Sequence, residues 1–289
     1  MKPVYKTIII SIVVNVFLVI LKLFTGVITN TKVLIADGVH SLSDLLTDIG
    51  ALFGQKLSER TADEKHPRGH GKIEYITSIG IGIVVILIAL KLIETAIKSP
   101  VNDINNNVIL IVVITIIAKF LLSRYTFKKG KECKNNILVS CAIEHQADVL
   151  SSVAVLLTVL IYNLSPIIPI LKYSDKIGTI VISLFILKTG VSILRHNLSL
   201  IIGESETDLE TINIVKGTIL KVKEVKSVDS IELIKYGSYY ESTIKLGIDN
   251  DLNIEQAHKI TNKVKNKLLK SNLNIKYVNT HINPHKKDS

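Results

Sequence analysis

Residues 36–48 read ADGVHSLSDLLTD, and they set Asp37, His40, Asp44 and Asp48 into a helix-length run with long apolar stretches before and after it. At 100° per residue, Asp44 and Asp48 lie one turn apart on one face, about 6 Å along the axis, and His40 lies one turn earlier. On a soluble protein this would be a wetted helix face. Here the surrounding composition makes lipid the solvent, and an ionisable side chain at mid-bilayer costs about 2.5–3.5 kcal/mol on insertion scales. Three carboxylates kept at that cost imply a function.

The chain has 289 residues, of which 47% are hydrophobic, and a mean hydropathy of +0.39. That suits an integral membrane protein with an appended polar domain. The net charge of +10 does not point to nucleic acid, because there is no Trp, Phe numbers only six, and basic and aromatic residues do not interleave. Cys133 and Cys141 match no zinc spacing and form no disulfide framework, which fits a reduced compartment. The N-terminal Lys2 and Lys6 followed by apolar residues mimic a secretion signal. The run from Thr7 to Ile28 is nevertheless of spanning length and lacks a small-residue cleavage site, so it reads as a retained helix.

Six segments are long enough to cross about 30 Å of hydrocarbon, near 7–29, 33–57, 73–98, 107–127, 136–163 and 174–198. Their flanking basic residues are unequally shared. Lys2, Lys6, Lys56, Arg60, Lys65, Arg68, Lys72, Arg124, Lys128, Lys129, Lys131, Lys134 and Arg195 fall on one side, against Lys32, Lys98, Lys172 and Lys176 on the other. The positive-inside rule then puts both termini in the cytoplasm, with a prokaryotic cell membrane as the expected location. Lys22, Lys91, Lys119 and Lys188 fall inside spans and read as snorkelling or pairing with a neighbouring helix.

Beyond Gly203 the sequence turns polar, so residues 1–203 are expected to form a six-helix transmembrane bundle and 204–289 a small cytoplasmic α+β domain. Residues 207–222 carry Ile212, Val215 and Ile219 on one helical face. Residues 240–248 alternate apolar and polar, VDSIELIKY precedes them, and Gly237-Ser238 between the two predicts a hairpin. A second helix over 254–270 and a strand IKYVNTHI complete an α-β-β-α-β order. A core this small gains from pairing with a second copy.

The fifth span carries a second acidic pair, Glu144 and Asp148, four residues apart like Asp44 and Asp48. Two helices each offering such a pair can converge on a divalent cation, and the repulsion of empty carboxylates is relieved by proton uptake. The competing reading is that the carboxylates only pair with intramembrane lysines and hold helices together. Between spans two and three, ADEKHPRGHGK offers Asp63, His66 and His70, one oxygen and two imidazole ligands of the kind zinc-like ions take, although a plain basic loop has the same spacing.

Taken in order, ADGVHSLSDLLTDIGA, HPRGHGKIEYI, HQADVLSSVAVL and a charged C-terminal domain resemble the cation diffusion facilitator family over essentially the whole chain. The resemblance implies a homodimeric metal-ion/proton antiporter, not an enzyme, with a metallochaperone-like cytoplasmic domain. It implies that Asp44, Asp48 and Asp148 belong to the transport site and Asp63, His66 and His70 to a loop metal site. The family's zinc-type members commonly have histidine where this chain has Glu144. His145 is displaced by about 100° and is expected to face elsewhere unless the helix is distorted. An all-carboxylate set Asp44, Asp48, Glu144 and Asp148 is harder in character and shifts preference from Zn²⁺ towards Mn²⁺ or Fe²⁺. In the cytoplasmic domain the resemblance implies metal binding across the dimer at Asp229, His258 and His281. Lys245 and Asn283 stand where further ligands are expected, so one metal or none is anticipated there. Asp37 and His40 rank behind these as path residues.

The expected activity is therefore efflux of Mn²⁺, Fe²⁺ or Zn²⁺ by proton antiport, with a slight lean to manganese. The metal is cargo and no resident cofactor is expected beyond a structural or regulatory ion. The expected partners are a second copy of the chain, membrane lipid, metal ions and protons, with no nucleic acid. Two other classes compete. A metal-sensing scaffold without transport would keep the soluble domain and lose the intramembrane acids. A membrane metalloenzyme would need an acid/base motif such as H-E-x-x-H, and none occurs.

Overall fold

A computed structural model describes residues 3–58, 60, 62–101, 104, 105, 107–133 and 136–285; the side chains of 3–5, 47, 48, 50–58, 136, 137 and 140 lie outside the described residues. The element order is α1 (Pro3–Ile28), α2 (Lys32–Ser58), α3 (Ile73–Lys98), α4 (Asn107–Glu132), α5 (Asn136–Tyr162), a short 3₁₀ turn (Pro169–Tyr173) and α6 (Ser174–Ile202), then α7 (Leu209–Leu220), β1 (Val225–Tyr236), β2 (Tyr239–Ile248), α8 (Ile254–Leu269) and β3 (Ile275–Pro284). Among the described residues α1, α3, α4, α5 and α6 are long and apolar enough to cross a membrane. The 27-residue α2 matches them in length. The chain divides into two compact units, Met1–Ile49 with Ile81–Ser192, and Gly50–Gly80 with Ile193–Ser289.

The first unit is a helix bundle whose apolar core joins Val33, Leu34 and Ala36 of α2 to Val85 and Ala89 of α3, Val108 and Val112 of α4, Val155 and Val159 of α5, and Ile182 and Ile186 of α6. Lipid-facing positions stay apolar, with Phe17, Phe24, Leu87, Leu110 and Phe185 all exposed. The N-terminus of α2 is capped from another helix: Asp175 of α6 accepts from the Lys32 N–H at 3.3 Å and the Val33 N–H at 2.9 Å. Its carboxylate satisfies two donors that have no partner within their own helix.

A buried ion pair ties α1 to α2. Lys22 Nζ lies 2.7 Å from Asp37 Oδ2, with side chains 0% and 1% exposed. Lys22 also donates to Ser41 at 3.2 Å and Ser152 at 2.9 Å, while Ser151 and Ser152 donate to the two Asp37 oxygens at 2.8 and 3.0 Å. Every strong donor and acceptor of the pair is engaged, which is what makes such a pair tolerable away from water.

The second unit contains the α-β-β-α-β sequence expected from the alternation of 240–248. β1 and β2 are antiparallel, β2 and β3 parallel, in the order β1-β2-β3. Ile244, Leu246 and Ile248 of β2 enter a core with Leu233, Val278, Val215 and Ile219 of α7, and Ile260, Val264 and Leu268 of α8. Asp208 caps α7, and Asn253 with Gln256 forms a capping box on α8. The hairpin turns on Gly237 (φ 61°), the first position of a two-residue loop that needs a positive φ.

The loop leading into α3 is part of this second unit. The Gly71 N–H donates to Tyr239 Oη at 3.2 Å, that hydroxyl donates to the Arg68 carbonyl at 2.7 Å, and the Gly237 N–H donates to Tyr75 Oη at 2.8 Å. A Cβ on Gly71 would sit 2.3 Å from the Tyr236 carbonyl oxygen, so only glycine permits this approach. Arg68 adds a 2.6 Å ion pair to Glu241.

The bundle makes a checkable energetic claim about the buried pair. Asp37→Ala should destabilise the detergent-solubilised protein by about 3–5 kcal/mol in thermal or denaturant unfolding, because it strands the Lys22 ammonium. Lys22→Met combined with Asp37→Leu should recover most of that loss, and a double variant as unstable as the single one would contradict the account.

Candidate metal centre

His40 and Asp44 of α2 meet Asp148 of α5, and one ligand atom from each lies within 4.8 Å of the others. His40 Nδ1 and Asp44 Oδ2 are 3.9 Å apart, with the His40 side chain 18% exposed. That Nδ1 is buried and has no hydrogen-bond partner among the described residues. Buried nitrogens seldom stay unpaired, so an orphaned imidazole nitrogen beside two carboxylates points to a ligand that completes it. Neighbouring ligand atoms on one first-row divalent ion with bonds of about 2.0–2.2 Å lie about 3–3.5 Å apart, so the three groups must draw together by about 1 Å to share an ion. Two oxygens and one imidazole suit manganese, iron and zinc alike.

Asp148 is 6% exposed. Its Oδ2 accepts a 2.5 Å ion pair from Lys119 of α4, whose side chain is 2% exposed and whose Nζ also donates to Asn15 Oδ1 of α1 at 2.7 Å. Among the described residues, Asp148 Oδ1 takes no hydrogen bond. Two of the intramembrane lysines therefore pair with aspartates, Lys22 with Asp37 and Lys119 with Asp148. Lys91 instead lies exposed beside Glu94 at 2.9 Å.

Glu144 and Asp148, expected to share one interior face, differ in burial in the packing of α5. Its buried stripe runs Leu138, Ala142, His145, Asp148, Ser152, Val155, Val159 and Tyr162, in steps of three and four. His145 is on that stripe and contacts Ser11 of α1 at 2.7 Å, whereas Glu144 is exposed and outside the three-residue cluster. The reason is geometric. Glu144 and His145 flank the Asp148 direction on opposite sides, and the bundle interior lies on the His145 side. Asp48 lies in α2, one turn beyond Asp44, and its side chain is outside the described residues, as are those of Lys2, Lys56 and Lys134. His40, ranked second from sequence, is the third member of the described cluster. Its signal was the same four-residue step that links Asp44 to Asp48.

The loop trio does come together. Asp63 Oδ1 is 3.0 Å from His66 Nδ1, Asp63 Oδ2 is 3.4 Å from His70 Nε2, and the imidazole centroids are 4.5 Å apart. The His66 backbone N–H, which donates to Asp63 at 2.6 Å, holds the carboxyl below the usual carboxylate range. Asp229, His258 and His281 behave differently. Asp229 accepts from Asn283 and Ser227, each at 2.7 Å, and these bonds lower its pKa. His258 is 2.9 Å from Asn262 on the exposed side of α8, and His281 lies opposite Lys245 in the sheet register. Among the described residues, these three form no ligand cluster within one chain.

A polytopic helix bundle with an acidic and imidazole cluster between two helices, followed by a small α/β domain, is the architecture of a membrane transporter for metal cations. The family comparisons agree with it over both parts of the chain. A profile described as "Cation efflux transmembrane domain" matches residues 8–202, and one described as "Cation efflux protein, cytoplasmic domain" matches 207–285. The chain belongs to the cation diffusion facilitator family of metal-efflux proteins, multi-pass membrane transporters that are not enzymes. The second profile is that of the family's dimerisation module, which marks the chain as one that pairs.

Individual relatives extend over nearly the full length. The manganese efflux system protein MneP of Bacillus subtilis is 28% identical over 285 residues, 97% of this chain and 96% of its own. MneS of the same organism, also named a manganese efflux system protein, is 25% identical over 95% of this chain and 93% of its own. A cadmium, cobalt and zinc/H⁺–K⁺ antiporter of Bacillus velezensis is 24% identical over 91% of this chain and 84% of its own.

The loop geometry yields a binding count. Replacing His66 and His70 together by Ala should lower the number of Mn²⁺ or Zn²⁺ ions bound per purified chain by one in equilibrium dialysis. An unchanged count would show that the trio is an ordinary surface cluster.

Proposed function

We propose that this protein exports a divalent transition metal of the manganese class in exchange for protons, with the ion held between α2 and α5. The observation that carries the reading is the convergence of His40, Asp44 and Asp148 around a buried, unpartnered imidazole nitrogen. Asp48 is the fourth group of this proposal, one turn along α2. Two manganese efflux proteins among the full-length relatives support the manganese class, and an H⁺-linked antiporter among the others supports proton exchange.

The chemistry follows from the donor set. Carboxylates gathered in a low-dielectric site repel one another, so each is neutralised by metal, a proton or a neighbouring cation. An ion arriving from the cytoplasm displaces protons from Asp44 and Asp48. An outward-facing site releases the ion as protons return, and the proton gradient drives the cycle. The helices that carry the two halves of the site supply alternating access by moving relative to each other. Asp63, His66 and His70 form, in this proposal, a second metal site at the loop before α3. Asp229, His258 and His281 can bind metal only with ligands from a second copy. Glu144, on the outer side of Asp148, is not needed to hold the ion in this arrangement.

In proteoliposomes, Asp44→Asn and Asp148→Asn should each reduce Mn²⁺-for-H⁺ exchange at least about a hundredfold, the scale lost when a transported ion loses a charged ligand. Exchange at the wild-type rate in either variant would end the assignment. Selectivity separates two residues. Glu144→His should leave the Zn²⁺ to Mn²⁺ transport ratio nearly unchanged, whereas His40→Asp should shift it towards Mn²⁺ as the only imidazole leaves the cluster. The opposite pattern would return Glu144 to the site.

A further inference from the structure

The two buried lysine–aspartate pairs differ in a way that assigns them different work. Lys22 and Asp37 form a closed network in which three serines engage the remaining positions. Lys119 and Asp148 form an open one. Lys119 grips a single oxygen of Asp148, the other oxygen takes no hydrogen bond among the described residues, and the carboxylate is itself a member of the His40–Asp44–Asp148 cluster. Lys119 has a second hold, Asn15 of α1 at 2.7 Å, which does not involve the cluster.

We propose that Lys119 is a tethered cation that occupies Asp148 when the cargo ion is absent and is displaced from it when the ion binds. The inference rests on the transport-site reading above. Asn15 gives the ammonium a polar partner that survives the exchange, so Lys119 can leave Asp148 without being stranded unpaired in the bundle. Without the ion, the ammonium keeps Asp148 from facing its neighbours as an uncompensated charge. Lys119 is thus a positioning residue that sets affinity by competition: it opposes capture and assists release.

The test is Mn²⁺ binding to the full-length purified protein in a His66→Ala/His70→Ala background, which removes the loop trio, read from the free-ion resonance signal. Lys119→Gln and Lys119→Met should lower the Kd by at least about tenfold, and in vesicles they should lower KM and kcat together as release slows. Lys119→Arg should raise the Kd several-fold, because a guanidinium holds a carboxylate by two parallel hydrogen bonds. A lysine that only clamps α4 to α5 would give a different pattern. The neutral variants would then melt earlier with unchanged or weaker Mn²⁺ binding and the arginine variant would match wild type, and either result overturns the proposal. If the neutral variants do not fold, the arginine variant decides alone. Asp148→Asn separates the two levels. Wild-type Mn²⁺ affinity in that variant refutes the site itself, whereas lost binding together with an unmoved Kd in the Lys119 variants refutes only the role of Lys119.

Discussion

Everything in the bundle is arranged around the cost of keeping Asp148 charged where water is scarce. A lone carboxylate in a low-dielectric interior is held only by compensation, through a cation, a proton or a full set of hydrogen bonds. Asp148 has one cation, Lys119, on one oxygen, and its carboxylate is also a member of the cluster with His40 and Asp44. That incompleteness separates a site from a clamp. The Lys22–Asp37 pair shows the contrast within the same bundle: each charge is fully engaged, no ligand atom is left over, and the pair binds helices together. The possibility that intramembrane acids serve only to pair with lysines thus describes Asp37 well and Asp148 incompletely.

Asp175 caps α2 from α6, which fixes the start of the helix that presents His40 and Asp44. In the second unit, the loop carrying Asp63, His66 and His70 is latched to the β1–β2 hairpin through Tyr239, Tyr75 and the Arg68–Glu241 pair, with Gly71 allowing the approach. The loop trio is therefore held by a folded scaffold and not by a free surface segment, and its three side chains face one another.

The helices, the hairpin at Gly237 and the strand order were legible because each rests on periodicity or turn chemistry within a short window. The loop trio was legible for the same reason, its ligands being close in sequence. The intramembrane site was only half legible. Asp44 and Asp148 stand out as acids in apolar helices, but which neighbour joins them depends on which side of α5 faces inward. The three-and-four spacing of Leu138, Ala142, His145, Asp148 and Ser152 carries that information and leaves Glu144 off the buried stripe, which a four-residue distance to Asp148 alone does not reveal. The partner of Lys119 was not legible at all, since contact between residues 119 and 148 is set by how α4 packs on α5.

The central claim is that the cargo ion binds between His40, Asp44 and Asp148. Anomalous diffraction from crystals of the full-length protein grown with Mn²⁺ tests it most directly. The account predicts a manganese peak at bonding distance from the Asp44 and Asp148 carboxylates and from His40 Nδ1, with the Lys119 ammonium moved off Asp148 and still on Asn15. A peak coordinated by Glu144, or no peak between α2 and α5 while the loop trio is occupied, would contradict it.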